Sequence, residues 1–449
     1  MSRLLISGTH SGCGKTTVTC ALLAALKARG IKTAAFKCGP DYIDPMFHRE
    51  AAQIKAYSLD PFFLNGGGLR SRLFSQDGKF SVIEGAMGYY DGITNTSEAS
   101  AYTAAKKTQT PVVLVLNAKG AGNSIAAVIE GFVRHMPNNQ IKGVIFNGAN
   151  GSRYPDLKHL AENAGVSAYG HMPFNEKWSI PARHLGLLKA GELKNLQEIL
   201  SELSKQAEQT LDIDGLIKLG NSAPALKADI PAKKINRAGK KIRLAVTRDD
   251  AFCFHYEENM ELLQALGCEA VFFSPLRDKA LPSGISGLSI TGGYPELHAA
   301  SLSANHLMLK EIRSAVTCAL PTIAEGGGFM YLHKTIDGFP MCGVIPASVY
   351  KTDKLQRFGY ITITAREDNL LCKAGESIRS REFHYWDSDN CGNGFTARKA
   401  GRDTIYPCVH TSASLYAGFP HLYFPANPLF AENFIRKMTL FSEKEILNG

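Results

Sequence analysis

Gly8-Thr9-His10-Ser11-Gly12-Cys13-Gly14-Lys15-Thr16-Thr17 follows the apolar run Leu4-Leu5-Ile6 and precedes an apolar stretch from Val18 to Leu26. A strand, a glycine-rich turn and an Ala/Leu-rich helix in that order make a phosphate-binding loop. Bare backbone N–H groups and the positive end of the helix then face the anion. In this reading Gly12, Gly14, Lys15, Thr16 and Thr17 bind a nucleotide, with Lys15 on the terminal phosphates and Thr16 on Mg²⁺. The spacing is not the plain G-x-x-x-x-G-K-[ST]: Thr9 stands where the first glycine belongs, and Gly8 and Gly12 supply the glycines instead.

Around this loop, residues 1–195 alternate apolar strands with helical stretches, the pattern of a parallel sheet covered by helices. The candidate strands are Leu4-Leu5-Ile6, Thr33-Ala34-Ala35-Phe36, Ser81-Val82-Ile83, Pro111 to Leu116 and Gly143 to Phe146. A sheet of this kind presents its ligand residues at its carboxyl edge. There the second strand leads into Lys37-Cys38-Gly39-Pro40-Asp41-Tyr42-Ile43-Asp44-Pro45-Met46-Phe47-His48. Two carboxylates flanking an aromatic and braced by two prolines suit metal or substrate contact; as turn formers beside proline they would do neither. The third strand leads into Glu84-Gly85-Ala86-Met87-Gly88-Tyr89-Tyr90-Asp91-Gly92. Mg²⁺ bound with a nucleotide takes one or two carboxylates besides the loop hydroxyl, and Glu84 stands where it could supply one.

The whole chain sets the outer bounds. Its 449 residues are enough for two or three domains. A hydrophobic content of 45% with 20% charged residues is ordinary for a globular protein. No apolar run approaches the roughly 18 to 20 residues that span a bilayer. The N-terminus runs from Met1-Ser2-Arg3 straight into the first strand, so the expectation is a cytoplasmic protein without a signal peptide or membrane partner. The 10 cysteines include no C-x-x-C pair, which argues for reduced thiols and against a zinc site or disulfide framework. The net charge of +9 suits an anionic ligand such as a nucleotide or a polycarboxylate. A basic stretch, Lys227 to Lys241, closes a helix and linker region at 196–241. No aromatic is interleaved there to stack on a base, so it reads as a solvated linker and not as a nucleic-acid site.

Four segments carry a resemblance: Gly8 to Thr17, Gly39 to His48, Glu84 to Gly92, and Pro181-Ala182-Arg183-His184-Leu185-Gly186-Leu187. Together they resemble the cobyrinate a,c-diamide synthase family, in which a dethiobiotin-synthetase-like ATP domain is fused to a glutamine amidotransferase domain. The match extends from the first strand to the last helix, with small departures. Ser58 stands where the family usually has asparagine, and Asn117 where an aspartate is common. The resemblance implies a fold: a P-loop parallel-sheet α/β domain, followed at 242–440 by a class I glutamine-amidotransferase-like α/β domain. It also implies a reaction, in which ATP and Mg²⁺ phosphorylate side-chain carboxylates of a corrinoid and ammonia displaces the phosphate. In that scheme Asp41, Tyr42, Asp44, Glu84 and Asp91 serve the metal, the substrate and the acyl-phosphate step. Thr16, Glu84 and Asp41 hold the metal, Asp41 and Asp91 are catalytic, and Tyr42 and Asp44 meet substrate. Asn147 would contact adenine, or form a turn. Arg183 and His184 would meet substrate carboxylates, or lie on the surface beside a proline turn.

From Ile242 the alternation of strand and helix restarts. Gly292-Gly293-Tyr294-Pro295-Glu296 resembles the oxyanion loop of triad-type amidotransferases. Gly418 to Phe424 resembles the segment carrying their catalytic histidine, with His421 in that place and Tyr423 where a second histidine is usual. Glu382-Phe383-His384-Tyr385 matches a further family segment. Pro321 to Leu332 fits a nucleophile elbow, a strand running into a sharp turn and a helix, except that Gly326 stands where the family has cysteine. Glutamine hydrolysis of this class needs that thiolate, and glycine has nothing to attack with. Three readings follow: an enzyme fed with free or partner-derived ammonia, a single replacement in an otherwise normal enzyme, or a second domain that is only a structural or regulatory lid. The favoured expectation is an amide-forming ATP half without glutaminase, in a protein that forms a homodimer. Hydrogenobyrinate or a nickel-sirohydrochlorin would use the same motifs, and a nucleotide-switched P-loop binding protein is the alternative outside enzymes.

Overall fold

A computed structural model describes residues 1–39, 41–178, 182–183, 186–187, 190, 193, 195–226 and 242–448. The chain divides into two compact units, Met1–Pro231 and Ala232–Gly449. Both are α/β, as the strand and helix alternation predicts.

The first unit is built on seven strands: β1 (Arg3–Gly8), β2 (Thr33–Lys37), β3 (Ala56–Ser58), β4 (Phe80–Glu84), β5 (Val112–Asn117), β6 (Ile141–Asn147) and β7 (Ser167–Met172). They pair in the order β3-β2-β4-β1-β5-β6-β7, and every pairing is parallel. Strands β1, β2 and β4 are buried along their whole length, as strands covered on both faces must be. β1 lies between β4 and β5, so the loop that follows it leaves from the middle of the sheet. The helix after that loop, Lys15–Ala28, buries an unbroken run from Val18 to Leu26. Helix Leu196–Thr210 packs against it and buries Leu196, Ile199, Leu200, Leu203 and Ala207, one stripe at helical spacing. Arg29 pairs with Glu208 and Asp214, each at 2.6 Å. The helical part of the region read as helix and linker is therefore packed on the first unit. The basic stretch after it lies outside the described residues.

The second unit has a six-stranded sheet in the order Cys268–Phe273, Ile242–Thr247, Gly287–Ile290, Thr322–Glu325, Leu415–Gly418 and His410–Thr411. All but the last strand are parallel. A second, antiparallel sheet pairs Phe358–Ala365 with Ser377–Phe383, and its edge strand is the short His421–Leu422. No described helix is long and apolar enough to cross a membrane. The ten cysteines are free thiols, in keeping with the absence of pair spacing.

Candidate active sites

The phosphate loop is shaped by what glycine permits. Gly14, at φ +99°, begins the helix Lys15–Ala28 in the left-handed region. A Cβ there would lie 2.0 Å from Asn147 Nδ2, so a larger residue would have to displace that side chain besides adopting a left-handed backbone. Asn147 Nδ2 donates to the Cys13 carbonyl at 3.0 Å and ties the loop to the carboxyl end of β6. Lys15 is buried, and its Nζ donates back to the His10 carbonyl at 2.9 Å inside the loop. Burial holds its pKa below the ordinary lysine value, with smaller and opposed effects from its neighbours. The loop thus offers backbone N–H groups, a helix N-terminus and one ammonium to an anion.

Behind the loop is a buried charge cluster. Thr16 Oγ1 donates to Glu84 Oε1 at 2.8 Å and lies 3.3 Å from Asp44 Oδ1. Lys37 Nζ sits 2.5 Å from Asp44 Oδ2 and 2.9 Å from Glu84 Oε1, and donates to the Gly85 carbonyl. His48 Nε2 is 2.6 Å from Glu84 Oε2. Sheet register brings the first pair together, since Lys37 faces Glu84 across β2 and β4. Helix Ile43–Ala52 brings the rest, because Asp44 and His48 stand four apart on one face. Burial alone would raise the pKa of Glu84, but Lys37 and His48 outweigh it and hold the carboxylate well below its usual range. Burial also opposes the charge on Lys37, which Asp44 and Glu84 restore and strengthen. Asp44 goes up, from burial and then from the charge of Asp41. Two carboxylates and a hydroxyl converging beside a phosphate loop fit Mg²⁺, which shares its coordination with phosphates and water instead of sitting in a protein cage.

The other residues singled out in the sequence do different local work. Asp41 Oδ1 accepts from the backbone N–H groups of Ile43 and Asp44 at 2.7 and 3.2 Å, capping the helix. Asp91 Oδ2 accepts from Gly88 N at 2.8 Å and braces its own turn. Tyr42 is buried at the helix start. Arg183 lies in a short hairpin with Gly186, while its side chain and all of His184 fall outside the described residues. Lys37 and His48 were missed by sequence reasoning. A lysine at the end of a strand buried on both faces demands an anionic partner, and that signal could have found Lys37.

In the second unit, strand Thr322–Glu325 turns at Gly326 into helix Gly327–Tyr331. Gly326 has φ +50° and ψ −110°, so the elbow backbone is present. A Cβ built on Gly326 would lie 2.7 Å from Cε1 and 2.8 Å from Nε2 of His421. A Cβ on Gly292, in the oxyanion-type loop, would lie 2.6 Å from the same Cε1. The imidazole therefore occupies a slot between two glycines, at the point where a nucleophile side chain would start. Glu325 Oε1 accepts from Leu422 N at 3.0 Å, and its other oxygen is 3.8 Å from His421 Nδ1. Burial lowers the pKa of His421, an effect partly countered by Glu325. Glu325, which precedes the elbow, is a further residue that sequence reasoning missed.

Both units match known families. Residues 4–188 match the CobQ/CobB/MinD/ParA nucleotide binding domain and residues 243–424 the CobB/CobQ-like glutamine amidotransferase domain. The chain is 36% identical to the cobyrinate a,c-diamide synthase of Caldanaerobacter subterraneus, over 98% of this chain and 99% of that one. It belongs to the cobyrinate a,c-diamide synthase family. Similar members include those of Thermoplasma volcanium, 35% identical over 98% of each chain, and Clostridium acetobutylicum, 36% identical over 97% of this chain and all of that one. As a member of the cobyrinate a,c-diamide synthase family the chain is a nucleotide-binding carboxylate-amide ligase with an amidotransferase-type second unit, whose turn after strand Thr322–Glu325 is made by Gly326.

Proposed function

We propose that this ligase amidates the a and c side-chain carboxylates of cobyrinate through acyl phosphates, at the expense of ATP, and takes its nitrogen from ammonia. A substrate carboxylate oxygen attacks the γ-phosphorus of ATP, the bond to the β-phosphate oxygen breaks, and ADP leaves. Ammonia then attacks the acyl carbon, phosphate departs with the C–O bond electrons, and the nitrogen loses a proton. Mg²⁺ would neutralise charge on the transferring phosphoryl group, held through Thr16, Glu84 and Asp44. Of the two carboxylates that follow β2, Asp44 is favoured over Asp41 because it is the one that reaches the Thr16 hydroxyl. Lys15 draws charge from the terminal phosphate, and the loop amides orient it. Asp91 and Tyr42 act through the shape of their loops. Arg183 and His184 remain the proposed carboxylate contacts of the substrate.

The observation that carries the nitrogen source is the bare elbow: His421 is in place with nothing at residue 326 for it to activate. The test compares amide formation on cobyrinate with glutamine and with ammonium, for the protein and for Gly326→Cys. Product with ammonium alone is expected, with glutamine use appearing in the variant. Glutamine use by the unsubstituted protein would sink the reading of the second unit, and no ATP turnover on adding cobyrinate would sink that of the first.

A further inference from the structure

We propose that His48 is the positioning residue for Glu84, an inference that rests on the reading of Glu84 and Asp44 as Mg²⁺-ATP ligands. His48 is fully buried. Among the described residues its polar contact in the cluster is Nε2 to Glu84 Oε2 at 2.6 Å. A carboxylate only accepts, so Nε2 carries the hydrogen and donates it. Nδ1 is buried and has no hydrogen-bond partner among the described residues.

The division of labour on Glu84 shows what the ring does. Lys37 Nζ and Thr16 Oγ1 both act on Oε1. With those two alone, the carboxylate could swivel about its terminal torsion, which is soft, and exchange its oxygens. His48 holds Oε2 from the opposite side and fixes which oxygen meets Thr16. Asp44, four residues earlier on the same helix, is bound to Lys37. One helix thus places one carboxylate of the cluster and locks the orientation of the other. Partners that orient a metal ligand from behind typically change affinity by about 10- to 100-fold when removed.

The test measures ATP binding to the full chain by calorimetry, with and without Mg²⁺, alongside the Mg²⁺ dependence of amide formation. For His48→Leu, ATP affinity without Mg²⁺ is expected to stay the same. The gain in affinity that Mg²⁺ confers should shrink by about 10-fold or more. His48→Gln, whose amide can reach Oε2, should recover most of that gain, and KM for cobyrinate should not move. An unchanged response to Mg²⁺ in His48→Leu overturns the proposal and leaves His48 as a core residue. If His48→Leu does not fold, His48→Asn, whose amide is one bond shorter, replaces it. Equal Mg²⁺ responses of the Asn and Gln variants then overturn it. Failure of the ligase reading looks different: the variants still separate in Mg²⁺-dependent ATP binding while no protein forms amide.

Discussion

Glu84 in the first unit and Glu382 in the second are both buried near the carboxyl ends of strands, yet their surroundings drive them in opposite directions. For both, burial favours the neutral acid. Around Glu84 the Lys37 ammonium and the His48 ring outweigh it, and the group is held ionised. Around Glu382 the Tyr406 hydroxyl, Arg357 and Lys399 offset it only in part, and the carboxyl is pushed up to about 7. Its Oε2 accepts from Tyr406, while Oε1 has no hydrogen-bond partner among the described residues. Depth does not decide ionisation; the partners supplied at that depth do. The first unit spends its buried charge on a cluster beside a nucleotide loop, whereas the second keeps an amidotransferase-type frame with glycine at the turn beside His421.

The sharpest way to break this contrast is to remove the charge where it is held. Glu84→Gln leaves Lys37 facing Asp44 alone and takes one carboxylate from Thr16. Ammonium-dependent amide formation should fall by about 10²- to 10³-fold, the usual scale for losing one preorganised electrostatic group. Breaking a buried ion pair should also cost about 3 to 5 kcal/mol of stability. In the parent, the Glu84 contribution is present above the ordinary pKa of 4.5 and is lost on acidification, because the folded value lies below the unfolded one. Thermal melts of parent and variant should therefore converge as pH falls below that value. Melts that stay equally far apart at all pH values would show that the ionised form of Glu84 is not what stabilises the fold.

Glu382 has the opposite sign. Its folded pKa of about 7 lies above 4.5, so between those values the unfolded chain has released a proton that the folded chain keeps. Stability then falls as pH rises through that window, by up to about 3 kcal/mol at its upper end. Glu382→Gln can still accept from Tyr406 and removes the titration. Its melting temperature should gain on that of the parent from pH 5 to pH 7 and then hold a constant lead. Parallel profiles for the two proteins would mean that Glu382 is ionised in the folded state.

The same contrast explains what was legible in the sequence. All five strands read from apolar runs in the first unit are present, because strands buried on both faces advertise themselves as such runs. Two strands of the seven-stranded sheet escaped. Ala56–Ser58 is three residues long, and Ser167–Met172 is a sheet edge whose first three residues are not fully buried, so neither forms an apolar run. The glycine in the elbow was legible because the residues around it still specify strand, turn and helix. The Lys37, His48 and Glu325 contacts were not, since each is set by register or by helix spacing onto a partner far away in the chain. Asp41, Asp91 and Asn147 show the converse. They were singled out as chemical groups, and the structure gives Asp41 bonds from the first turn of a helix and Asp91 and Asn147 bonds to loop backbone.

The smallest expected effect concerns the bare elbow itself. Gly326→Ala adds a methyl group but no nucleophile, so it isolates how far the second unit is fitted to glycine. A non-glycine residue at φ +50° costs on the order of 1 kcal/mol. The new Cβ would also stand 2.7 to 2.8 Å from the His421 ring, closer than real Cβ contacts, so the imidazole must shift out of its slot. Together these should lower stability by about 1 to 3 kcal/mol, read as an earlier thermal transition, while ammonium-dependent amide formation, which uses the cluster around Thr16, stays within about twofold of the parent, an effect of under about 0.5 kcal/mol. An unchanged melt would mean that His421 moves aside freely, and the slot would then accept a thiol without penalty. A loss of ammonium-dependent activity would mean that ammonia is handled at the elbow even without a nucleophile, and the second unit would have to be counted as part of the synthetase chemistry.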